Sequence, residues 1–140
     1  MQPYTRDELL AFLNEMLEAE RAGAKALLHI SKEAQDTTAS GLAMAVHHDE
    51  ARWCAMLTAA IRLHGGNPSQ ATGAFYEKVL AIGEPKARLS FVNRGQGWVV
   101  KKLKEAIPRI EDGQLVKDLG VMLSSHEENI AKVNASGLAG

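Results

Sequence analysis

The chain has 140 residues, 46% of them apolar and 24% charged, with a formal net charge of −1 and a single cysteine, Cys54. That length suffices for one continuous hydrophobic core, and the composition is that of an ordinary globular protein. The near-zero charge offers no field to gather nucleic acid or an anionic membrane, and one thiol excludes an internal disulfide framework.

Aromatic residues make up only 5%, while Ala and Leu are plentiful, which favours helix packing over sheet. The opening MQPYTRDELL has neither the basic stretch nor the long apolar stretch of a secretion signal. No apolar run reaches the roughly 20 residues that a bilayer crossing requires. The expectation is a cytoplasmic, non-membrane protein with one domain over residues 1–140.

Four long helices are predicted. The first opens at Thr5, with Glu8 in capping-box spacing and acidic residues in its first turn. Leu9, Leu13, Met16, Leu17, Glu20, Ala24, Leu27 and Leu28 then recur at steps of three and four. This helix is expected to fade near QDTTASG. The second runs from about Leu42 to His64, where HGGNP stops it. A long connection from Gly65 to about Lys86 holds one short helix, in AFYEKVLAI. The third helix covers roughly Ala87 to Ile110, with Pro108 weakening its last turn. EDG then turns the chain, and Asp112 caps the fourth helix, QLVKDLGVMLSSHEENIAKVN, before a tail, ASGLAG, that is expected to fray.

Short turns join helices one and two, and helices three and four, so each pair should form an antiparallel hairpin. The link between the pairs is far longer. The fold class is therefore all-α, a four-helix bundle whose two hairpins are joined by one long crossover, which is ferritin-like connectivity.

Each helix carries polar residues in phase with its apolar stripe. Glu20 continues the first stripe. Glu50 lies between Val46 and Trp53 on the second, flanked one turn earlier by His47. Gln96 is in phase with Val92, Val99 and Leu103 on the third. On the fourth, His126 and Glu127 both fall between Met122 and Ile130. A buried carboxylate is expensive without a cation, a metal or hydrogen bonds. Several at one level call for a shared partner, either a hard metal such as iron, manganese or zinc, or an internal ion-pair network. Two glycines, Gly95 and Gly97, each cost up to ~1 kcal/mol in a helix; the expectation is that Trp53 packs across from them. Cys54 is read as a small buried hydrophobe.

The stretches LNEMLEAERAG, DEAR and HEEN resemble the small bacterial ferritin-like domains related to rubrerythrin. The resemblance spans nearly the whole chain as architecture, with the motifs partly present. The di-iron members supply one Glu from each of two helices and a Glu-x-x-His from each of the other two. Glu20 matches the first Glu, and Glu50 opens the second-helix motif, where Trp53 replaces the His. Gln96 stands at the third-helix Glu. Glu127 stands at the fourth-helix Glu, with Ile130 replacing the His. The metal ligands implied are Glu20, His47, Glu50, His126 and Glu127, with both histidines as substitutes for missing ligands.

The resemblance implies a reduced site for iron or manganese with redox or peroxide chemistry. With no Cys-x-x-Cys pair, such chemistry requires an external electron donor. The competing reading is a non-enzymatic bundle that has lost the metal and acts through self-association, as a homodimer, or through a protein partner. A third is a small organic ligand held beside Gly95 and Gly97.

Overall fold

The computed structural model describes residues 2–72 and 74–137, and every described element is helical. Helix α1 spans Arg6–Glu33, α2 Thr37–Leu63, α3 Phe75–Ala81, α4 Pro85–Ala106 and α5 Gly113–Ser136; a 3-10 turn, Ile107–Arg109, follows α4.

The caps explain the boundaries. Thr5 and Glu8 form the expected reciprocal box, and Asp112 accepts from the backbone N–H groups of Gln114 and Leu115, each satisfying donors that a helix start leaves free. The second helix begins earlier than its apolar period indicated. Asp36 accepts from Thr38 and Ala39 N–H groups, so QDTTASG is a tight turn followed by a helix start rather than a fading end. Glu84 caps α4 in the same way, with Pro85 in the first turn. The last helix also outlasts expectation, entering the tail as far as Ser136, where Gly137 closes it with φ 72°. Residues 138–140 of that tail lie outside the described residues.

Packing fixes the helix directions. One core cluster joins Leu9–Leu17 of α1, Trp53–Ile61 of α2, Val99–Ala106 of α4 and Leu115–Met122 of α5. The other joins Ala26–Ile30, Ala43 and Val46, Leu89 and Val92, and Val133. Thus the N-terminal halves of α1 and α5 lie at the same end as the C-terminal halves of α2 and α4. Helices α2 and α4 are parallel, so the segment between them must climb the length of the bundle, as the long crossover predicts. Arg88 secures its upper end, donating to the carbonyls of Ile82 and Leu80 and pairing with Glu33 of α1.

Around the bundle, α1 packs on α2 and α4, and α5 on α2 and α4, leaving α2 and α4 diagonal. Trp53 therefore does not face the glycine pair, contrary to the sequence expectation. A Cβ on Gly95 would lie 2.8 Å from the Phe75 ring of α3, whereas one on Gly97 would meet nothing within 4 Å. The ring stacks on Phe91 at 5.2 Å and cannot easily retreat. Gly95→Ala is expected to destabilise by about 1–2 kcal/mol, overpacking exceeding the helix-propensity gain. Gly97→Ala should stabilise by up to ~1 kcal/mol. Chemical denaturation of the two variants checks the opposite signs.

A candidate metal centre between two apolar layers

Between the two apolar clusters, each long helix contributes a polar side chain near its midpoint. Glu20, Glu50, Gln96 and His126 are all 1–3% exposed. Each sits on the inward stripe one or two turns from leucine, valine or methionine, so the packing that buries the stripe also brings the four to one level.

Glu20, Glu50 and His126 each place a ligand atom within 4.8 Å of the other two. His126 Nδ1 lies 2.9 Å from the Met122 carbonyl oxygen. A carbonyl only accepts, so Nδ1 carries the proton. In the neutral ring the lone pair is then on Nε2, which points at Glu20 Oε1, 2.8 Å away. A metal-binding histidine is commonly oriented this way, its far nitrogen anchored to a backbone carbonyl. Beyond that approach of Nε2 to Oε1, the atoms Glu20 Oε1, Glu50 Oε2 and His126 Nε2 have no hydrogen-bond partner among the described residues.

Burial governs the charge. It pushes the Glu20 carboxyl up to about 7, partly offset by a hydrogen bond with Glu50. Burial pushes Glu50 well above the usual carboxylate range, and the negative charge of Glu20 adds to the rise, while His126 opposes it. Without a cation, burial therefore favours the protonated form of the pair. The same surroundings drive the Cys54 thiol up to about 12, which makes it inert rather than nucleophilic.

Gly23 makes room for this arrangement. A Cβ there would lie 2.8 Å from Glu50 Oε2 and 3.0 Å from Cδ. The only sequence signal for it is a glycine in mid-helix one turn beyond Glu20, the same signal that drew attention to Gly95.

Two expected ligands are elsewhere. His47 is half-buried, and its Nδ1 donates to the Ala24 carbonyl at 2.7 Å, so the ring is turned to the α1 backbone and is outside the cluster. Glu127 is exposed and lies 3.4 Å from Lys104. The inward phase of α5 belongs to Met122, His126, Asn129 and Val133, one position off the register taken from Glu127 and Ile130. Asn129 is buried because its amide donates to Asp49 at 3.0 Å.

With that register corrected, the six inward positions hold Glu20; Glu50 and Trp53; Gln96; and His126 and Asn129. Compared with two Glu and two Glu-x-x-His pairs, both histidine places are filled by residues unsuited to bind a metal, and His126 occupies a Glu place. The donors present fit one ion. They do not fit two.

Residues 7–135 match the family described as a domain of unknown function (DUF6306). The chain belongs to this family. Its fold is also similar to a solved structure described as "ferritin like, diiron-carboxylate proteins" from Bacillus anthracis strain Ames, at 16% identity, TM-score 0.85, and 96% and 97% coverage of the two chains. No curated protein matches the sequence. At that identity the likeness establishes the fold alone: this DUF6306 member folds as a ferritin-like helical bundle. Its buried Glu/Glu/His group is compatible with a metal site. Among the described residues, no helix is long and apolar enough to cross a membrane.

Proposed function

We propose that this chain binds a single transition-metal ion, iron or manganese, through Glu20, Glu50 and His126. The observation that carries the reading is the convergence of two buried carboxylates and a buried imidazole between the apolar clusters, with a ligand atom of each within 4.8 Å of the other two. Two carboxylates and one neutral imidazole suit these metals, and a divalent ion would neutralise both acids at once. When bound, such an ion supplies Lewis acidity and one-electron redox chemistry. The chain's part is to fix the three donors. The Met122 carbonyl holds the imidazole tautomer, Gly23 admits the Glu50 carboxylate, and the apolar clusters cover the site on both sides along the bundle axis. Any redox or peroxide cycle belongs to the same proposal and draws electrons from an external donor, because Cys54 is the chain's only cysteine. Homodimerisation and a cytoplasmic location accompany it as expectations.

Calorimetric titration of chelator-treated protein with Mn2+ or anaerobic Fe2+ tests the reading. One ion per chain is expected. Glu20→Gln and Glu50→Gln should each weaken binding by at least about a hundredfold, and Gly23→Ala by about tenfold through displacement of Glu50. Binding that survives Glu20→Gln together with Glu50→Gln would exclude the site.

A second reading has its own support. Burial already favours the protonated form of the acid pair, and Trp53 and Asn129 occupy the histidine places. A metal-free bundle acting through self-association or a partner would show no stoichiometric metal in that titration.

A further inference from the structure

The carboxylate layer is not sealed on every side. A cavity of about 460 Å3 lies between α1, α4 and the crossover. Its inner end is formed by the buried Glu20, Glu50 and Gln96, its middle by Val92 and Val99, and its outer part by the half-buried Phe75 and Phe91 and the exposed Trp98. This is the size range of small-molecule sites, which are mostly apolar with a few convergent polar groups. Gly95 is part of its construction, because only a residue without Cβ lets the Phe75 ring of the crossover lie against α4.

We propose that this cavity binds a small, uncharged, largely apolar alcohol, its hydroxyl at the inner end between Gln96 and the metal ion. The assignment rests on the metal reading above.

Charge selects the head group. Two carboxylates and a divalent ion sum to zero, so the inner end offers no compensation for an anion. Arg94, the guanidinium in the cavity lining, is exposed and stands 5.6 Å over the ring of Phe91 in its outer part. An ammonium head would be repelled by the ion and would have to displace it. A hydroxyl meets both requirements. Its oxygen would face the ion that Glu20, Glu50 and His126 would hold, and its proton would be donated to Gln96 Oε1, a buried acceptor with no hydrogen-bond partner among the described residues. The apolar remainder then lies along Val92 and Val99 toward the aromatic rings.

The test uses the full chain loaded with Zn2+, which is redox-inert, and calorimetric titration with hexan-1-ol, hexanoate and hexylammonium. Hexan-1-ol should bind at least about tenfold more tightly than either charged analogue. Gln96→Leu should reduce hexan-1-ol affinity by about tenfold, the size of one hydrogen bond. Ala19→Phe, which fills the cavity from α1, should lose the alcohol and still take up zinc. A protein that takes up no zinc overturns both readings. A protein that takes up zinc but ignores hexan-1-ol, or does not prefer it to the charged analogues, overturns this one alone. Equal affinity with and without zinc removes the hydroxyl from the ion and likewise overturns it.

Discussion

In chelator, the protein is expected to lose stability as pH rises from 5 to 8, the reverse of ordinary acid denaturation. The Glu20 carboxyl moves from 4.5 to about 7 on folding, and Glu50 moves in the same direction. The native state therefore holds protons that the unfolded chain releases, and stability falls with pH wherever the native state binds more. The contribution is complete below about 4.5 and is lost as pH passes through about 7 and above. The groups facing the pair do not cancel it, since Asp49 raises Glu50 further and His126 only partly offsets the rise.

For one group the loss is on the order of 3 kcal/mol, or roughly 10 °C in melting temperature for a chain of this size. Glu50→Gln keeps the shape and removes one ionisation. Its metal-free melting temperature at pH 8 should exceed that of the unsubstituted protein by roughly 5 °C. Its pH profile should also flatten. Thermal melts at pH 5, 6.5 and 8 with chelator check both statements; a profile that rises with pH would sink them. Metal should reverse the trend, because binding requires deprotonated carboxylates and strengthens as pH rises.

Trp53→His is expected to cost about 3 kcal/mol in chelator and, at the same time, to enlarge the stabilisation that metal provides. Trp53 is buried in the lower core cluster, and replacing a large ring by a smaller one leaves unfilled space. Its indole N–H has no hydrogen-bond partner among the described residues, so the loss comes from packing and not from a hydrogen bond. The position is one turn after Glu50, where a Glu-x-x-His pair would place its imidazole. The measurement is the rise in melting temperature on adding Zn2+ or Mn2+. A rise no larger than that of the unsubstituted protein would show that Trp53 is not at a ligand position.

Much of the fold could be read from the sequence because helix starts and hairpin lengths are local properties. Thr5 with Glu8 and Asp112 announce helices by hydrogen bonds within a few residues. The uneven spacing of the breakers then dictates a crossover. Glu20 and Glu50 were legible as inward-facing because both interrupt strict three-and-four apolar series. The fourth helix was harder. Adjacent residues on a helix differ by about 100°, and Ile130 draws the stripe toward Glu127. The structure leaves Ile130 half-exposed and buries Asn129, whose partner Asp49 comes from another helix. The choice between His126 and Glu127 thus depends on a contact 80 residues away in sequence. His47 misled for a similar reason, since its partner is a backbone carbonyl of α1. The placing of Phe75 on Gly95 also depends on the crossover's path, which no local period encodes.

Because hydrophilic side chains divide the interior into two apolar clusters, the bundle is expected to open as two units rather than one. The unit nearer the N-terminus holds the long leucines, methionines and the indole; the other is built largely from alanine and valine and buries less apolar surface per residue. Its amides should therefore open first in native-state hydrogen exchange. An ion bridging α1, α2 and α5 at the boundary would couple the opening of one unit to that of the other, and so set how much of the bundle unfolds at once.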